Sequence, residues 1–173
     1  ADGGTVTIGD GTFNETLVVD KNLTLEGASN LETILQPGAA GQRVISVTAD
    51  HNLTLRDLKV TGGQAQADEV GGGVWVQGGS LTLFRVHIVN NSASYGGGIF
   101  QEGASGGLEA VDSLVQGNSA GIDGGGMYVR GSATLTNSQV ISNTDGSHGG
   151  GLHVAAGSAL IDGEPERYAV IDA

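Results

Sequence analysis

Four rings recur at one place in a repeat: Trp75, Phe100, Tyr128 and His153 each stand second after a triple glycine. Rings held in a row can stack on sugars or grip a partner's apolar edge, because they lose little conformational entropy on contact. Cross-strand stacking explains the same row without a ligand, at about 0.2–1 kcal/mol per pair. Either way, alternation places the four on the outer side of a strand, so an exposed aromatic stripe is expected.

A second column combines charges. Aligned turn positions hold Asp57, Arg85, Asp112 and Asn137, so Arg85 is expected between two carboxylates. In a catalytic role Arg85 would clamp an anion; more simply, alternating charges one coil apart satisfy one another for about 0–1 kcal/mol. Asn91, Asn118 and Asn143 end three successive repeats and suit an amide ladder that bonds along a stack and to turn backbone. Thr24, Thr54, Thr82 and Thr134 line up in a flat array of the kind that could bind ice, but Glu109 interrupts it and Leu160 ends it.

Metal chemistry finds less support. Asp68, Glu69, Asp123 and Asp145 sit near one corner and offer hard oxygen ligands for Ca²⁺. They keep no fixed spacing and form no calcium-loop motif, so solvated turn charges are the more economical account and no cofactor is assigned. His148 and His153 are five residues apart, and His51 and His87 belong to other coils, which argues against zinc.

The elements that position these residues follow from the repeat. Glycine triplets begin at Gly71, Gly96, Gly124 and Gly149, and such a period points to a solenoid. Each opens a strand, as in Val74-Trp75-Val76 or Met127-Tyr128-Val129, with the apolar residues inward. A second strand follows in Leu53-Thr54-Leu55, Leu81-Thr82-Leu83, Leu108-Glu109-Ala110, Ala133-Thr134-Leu135 and Ala159-Leu160-Ile161. A third is Leu58-Lys59-Val60, Val86-His87-Ile88, Ser113-Leu114-Val115 and Ser138-Gln139-Val140. No segment sustains a helical apolar stripe, and β-branched residues dominate the runs. The fold expected is all-β: a right-handed parallel β-helix of about six coils, three short strands per coil. At about 4.8 Å per coil the rod is on the order of 30 Å long.

Composition narrows the function. The chain has 173 residues, and seven Lys plus Arg against nineteen Asp plus Glu give a net charge of −12. That charge repels phosphate backbones and anionic headgroups, which argues against nucleic acid. No apolar run approaches the roughly 20 residues that span a bilayer, which argues against direct membrane insertion. With no Cys there is neither disulfide nor thiol nucleophile. Length fits one β-helix domain over residues 1–173, standing alone or as a segment of a longer solenoid. The C-terminal run from Glu166 to Ala173 reads as a strand.

The strings Gly-Gly-Gly-Ile99, Ser80-Leu81-Thr82-Leu83 and Val89-Asn90-Asn91-Ser92-Ala93 resemble the bacterial surface β-helix repeats of the polymorphic outer membrane protein and autotransporter adhesin type. The fold is similar to that of the pectate lyases, and the likeness covers nearly the whole chain. It implies an extracellular or cell-surface protein; the scaffold hosts both adhesins and enzymes, so it does not choose between them.

A hydrolase needs two or three carboxylates converging in one groove, about 5–9.5 Å apart. Here the carboxylates look scattered and every corner looks too short to build a cleft, so no catalytic residue is assigned. The expectation is a non-catalytic structural or adhesive β-helix serving as stalk, spacer or filament subunit. Its partner would be a polysaccharide, another cell-surface protein, or a second copy stacked head to tail. The alternative is a polysaccharide-binding or polysaccharide-degrading protein.

Overall fold

A computed structural model describes residues 3–66, 69–162 and 170–171. Among them there is no helix, and the strands wind into a parallel β-solenoid. The first coil comprises β1 (Gly4–Ile8), β2 (Gly11–Asn14) and β3 (Leu17–Val19). The second comprises β4 (Leu23–Gly27), β5 (Thr33–Gln36) and β6 (Ile45–Val47), and the third β7 (Leu53–Arg56), β8 (Lys59–Thr61) and β9 (Val74–Gln77). Next come β10 (Leu81–Phe84), β11 (His87–Val89), the short β12 (Ser92–Tyr95) and the long β13 (Ile99–Val111), which turns a corner into the following coil. The pattern repeats in β14 (Leu114–Gln116), β15 (Ser119–Asp123) and β16 (Met127–Thr136), and closes with β17 (Gln139–Ile141), β18 (Leu152–Ala156), β19 (Ala159–Asp162) and β20 (Val170–Ile171).

The rungs make three faces. The first stacks β1, β4, β7, β10, the second half of β13, that of β16, and β19; the second runs from β2 through β5, β8, β11, β14 and β17 to β20. The glycine-triplet face stacks β3, β6, β9, β13, β16 and β18. Those rungs enclose about five turns of rise, one fewer than the roughly six coils expected from counting repeats. On the second face the strands start one residue later than alternation suggests, because Leu58, Val86, Ser113 and Ser138 are buried corner residues. Of the C-terminal run, Val170 and Ile171 pair with β17; its other residues lie outside those described.

Alternation sets the core. Leu55, Leu83, Ala110 and Leu135 form one inward column, Val60, Ile88, Val115 and Val140 a second, and Val74, Ile99 and Met127 a third, all essentially inaccessible to solvent. Burying one such aliphatic side chain is worth about 1.5–3 kcal/mol, which offsets the ordering of a coil only when neighbours stack. The glycine triplets permit that stacking. Gly96 has φ +60°, where only glycine is unstrained, while a Cβ on Gly97 would lie 2.3 Å from the Ser119 carbonyl oxygen.

Corners carry hydrogen-bonded ladders. Asn91, Asn118 and Asn143 are buried, and Nδ2 of each of the first two donates to Oδ1 of the next at 3.0 Å. The backbone N–H groups of Asn91 and Asn118 donate to the same oxygens, and the amides also donate to the carbonyls of Val60, Ile88 and Val115. A serine ladder runs beside it: the N–H of Val86 donates to Ser113 Oγ and that of Ser113 to Ser138 Oγ, both at 3.1 Å.

Candidate functional site

The glycine triplets dictate where the rings fall. With Val74, Ile99, Met127 and Leu152 inward, the next residue in each strand points out, and register places Trp75, Phe100, Tyr128 and His153 one above another. The rings of Phe100 and Tyr128 stack at 4.9 Å and 11°, those of Tyr128 and His153 at 4.8 Å and 7°. The spacing is that of the rungs themselves, so Tyr128 spends both faces on its neighbours and Phe100 and His153 one each.

The stripe is therefore not the exposed one expected. Phe100 is 4% and Tyr128 8% accessible, and Trp75 and His153 are half-buried. The reason lies in the segments between the asparagine corner and the glycine triplets. Two of them are laced together by the pairing of β12 with β15, and they bring Tyr95 edge-on to Tyr128 at 5.7 Å and 80°. Arg43 covers Trp75, its guanidinium carbon 4.5 Å from the ring centre. The cleft held to be absent thus exists: a groove of about 660 Å³ with the ring stack as floor.

Charges line its banks. Arg43 Nη2 meets Glu69 Oε2 at 2.9 Å, with only 12% of the arginine side chain exposed. Arg130 Nη1 meets Glu102 Oε1 at 3.3 Å and lies 5.9 Å from the rings of both Phe100 and Tyr128. Asp123 Oδ1 meets His148 Nδ1 at 3.1 Å. Among the described residues, Glu69, Glu102 and Asp123 of the groove each have a cationic or imidazole partner.

The chain matches no family model, no curated protein and no solved structure.

The other residues singled out in the sequence fall elsewhere. Asp57, Arg85, Asp112 and Asn137 do stack at one corner, all with left-handed backbone near φ +50°. Arg85 does not bridge two carboxylates. It binds Asp57 bidentately, Nε to Oδ1 and Nη2 to Oδ2 at 2.6 Å each, while Asp112 accepts from the amide of Asn137. This corner lies between the first and second faces, and none of its residues lines the groove. The threonines stack as expected in Thr24, Thr54 and Thr82, with Glu109, Thr134 and Leu160 continuing the row.

Of the acidic residues considered for Ca²⁺, Glu69 and Asp123 are engaged as above, Asp145 buries one carboxylate oxygen without a hydrogen-bond partner, and Asp68 lies outside the described residues. No three such ligands gather among the described residues. His87, in register with Lys59 on the second face, has its pKa lowered by burial and then by the lysine charge.

Sequence reasoning missed Arg43, Tyr95, Glu102 and Arg130: Glu102 and Arg130 share one offset after their glycine triplets and stand in register, a signal the repeat did offer, whereas Arg43 and Tyr95 sit at unlike positions. It also missed Gln101. Alternation did mark that position as inward, between Val76 and Val129, and the side chain is fully buried. Its Nε2 donates to the carbonyls of Gly79 and Gly103, and its Oε1 has no partner.

Proposed function

We propose that this chain is a non-catalytic β-helix working outside the cell or at its surface, where it holds a shape and presents the groove to a partner, as a bacterial surface adhesin does. One observation carries the reading: the carboxylates of the groove are tied to Arg43, Arg130 and His148 instead of being held as a free acid and base. Such pairs fix geometry and leave little for proton transfer. The likeness of the glycine-triplet and asparagine repeats to autotransporter-type sequences and to the pectate-lyase fold supports the same placement.

The test is turnover against retention. The chain is immobilised, exposed to a panel of neutral and uronic polysaccharides and to intact cells, and the eluate assayed for reducing ends and unsaturated sugars. Retention of cells or polymer without product is expected; steady product release would overturn the reading.

Polysaccharide binding is the second reading, favoured by the groove volume, which lies in the range of small-molecule sites. Head-to-tail stacking is compatible with either. Val6 and Ile161, core-column residues of the first and last first-face rungs, are 48% and 43% exposed, and a second copy would cover them. Light scattering over a concentration series reads it directly: growth supports stacking, constant mass refutes it.

A further inference from the structure

We infer that the corner of the groove formed by Asp123, Tyr95 and Tyr128 binds a cationic group, a guanidinium by preference, carried by an arginine side chain of the partner. The inference deepens the adhesive reading and rests on it for the source of the cation.

The groove already holds two guanidinium groups of its own, each set between aromatic ring and carboxylate. Arg43 lies over Trp75 and is tied to Glu69; Arg130 lies beside Phe100 and Tyr128 and is tied to Glu102. Rings attract cations through their negative faces, and a carboxylate fixes the fork of a guanidinium, so each setting selects planar cations.

Asp123 offers the third such carboxylate without a built-in arginine. It is in register with Tyr95, whose ring meets Tyr128 edge-on at 5.7 Å. Only 17% of its side chain is exposed, so much of its charge has been taken out of water. Its partner is His148, which is 74% exposed and whose ring otherwise meets only the edge of His153 at 6.4 Å, and an imidazole is a counter-charge only while protonated. The faces of Tyr128 are taken by Phe100 and His153, so the aromatic wall of this corner is Tyr95, and a largely buried carboxylate beside it favours an incoming cation. The net charge of −12 adds long-range attraction for it.

The chain contains a single tryptophan, Trp75, and it lines this groove, so its fluorescence reports occupancy. The full chain is titrated with agmatine, with a capped peptide holding one arginine, and with the same peptide holding citrulline, which keeps the shape and loses the charge. Saturable changes are expected with agmatine and the arginine peptide, and none with citrulline. A peptide that binds more tightly than agmatine identifies a protein source; the reverse order overturns that source in favour of a free amine.

Asp123→Asn should weaken binding of both cations by at least about tenfold. Should that variant melt well below the parent, Tyr95→Leu serves instead, with weakening in the same direction. No saturable response in the parent, equal response to citrulline, or parent-like binding by both variants would overturn the pocket. Cell retention that survives such a failure leaves the adhesive reading standing, while cation binding without retention of any partner removes that reading and keeps the pocket.

Discussion

Arg85 grips Asp57 through two parallel hydrogen bonds of 2.6 Å, and both residues hold left-handed backbone, φ 53° and 50°. Asp and Asn tolerate that conformation; arginine rarely adopts it. The corner geometry is imposed by the stack, since the N–H of Asp57, Arg85, Asp112 and Asn137 each donates to a carbonyl of the next coil. Phe84 adds a second hold, its ring centre 4.0 Å from the Arg85 guanidinium carbon.

From this follows a ranking. Arg85→Asn keeps a residue suited to the corner and loses an exposed ion pair and the contact with Phe84, so its melting temperature should fall only slightly below that of the parent. Arg85→Val loses the pair and forces a β-branched side chain into left-handed backbone, and should melt clearly lower. Equal melting of the two variants would show that the stack does not enforce the corner.

Asn118 is the middle rung of the amide ladder. Asn118→Ala removes the acceptor used by the N–H and Nδ2 of Asn91, and strips a donor from the Ile88 carbonyl and from Asn143 Oδ1. Buried polar groups left unpaired cost about 1–3 kcal/mol each, so a loss of about 3–5 kcal/mol is expected in urea denaturation. A loss below about 1 kcal/mol would mean that water enters the corner and replaces the amide.

The asparagine ladder was legible in the sequence because its members sit at a nearly fixed offset before each glycine triplet and the stack has one rise per coil. The ring column was legible for the same reason, and its register is as expected. Its burial was not. Whether Phe100 sees water depends on which side chains the segments carrying Arg43, Glu69 and Tyr95 lay around it, and those segments differ in length and composition from coil to coil. Repetition in sequence reveals what the coils share; a groove is made where they differ.

The glycine triplets predict a sharp asymmetry between neighbouring glycines. On Gly97 a methyl group would lie 2.3 Å from the Ser119 oxygen and 2.5 Å from that of Gly125, both backbone atoms of the next coil. Gly97→Ala must separate the coils, at a cost of about 3 kcal/mol or more in thermal or urea melts. On Gly121 the nearest atom is the Ser94 Cα at 3.9 Å, so Gly121→Ala should change stability by less than about 0.5 kcal/mol.

His87 gives the fold a pH dependence of determined sign. Burial, then the charge of Lys59, lowers its pKa below the ordinary 6.5. Between the lowered folded value and 6.5 the unfolded chain binds more protons than the folded one, so stability rises with pH through that window. The contribution is fully present above pH 6.5 and is lost as pH falls through the folded value. Urea melts at a series of pH values should show this loss in the parent, with a smaller one in His87→Gln. An unchanged slope in the variant would assign the acid sensitivity to other groups.

Gln101 separates what holds the core from what holds a corner. Its Oε1 is buried without a partner, whereas its Nε2 fastens Gly79 and Gly103, next to the register shift between Glu102 and Gly107 where β13 meets β16. Gln101→Leu removes the orphan oxygen and restores the aliphatic column of Val76 and Val129, but frees the two carbonyls. These effects oppose, so global stability should move by less than about 1.5 kcal/mol. The corner has no such compensation, and amide exchange around Gly103 and Gly107 should quicken. Gln101→Glu keeps the shape and buries a charge in the same column, so it should lose several kcal/mol at neutral pH, about 3 or more, and recover part of this on acidification. If Gln101→Leu instead destabilises the fold as much as Gln101→Glu does, the amide is a main support of the stack and the corner does not yield on its own.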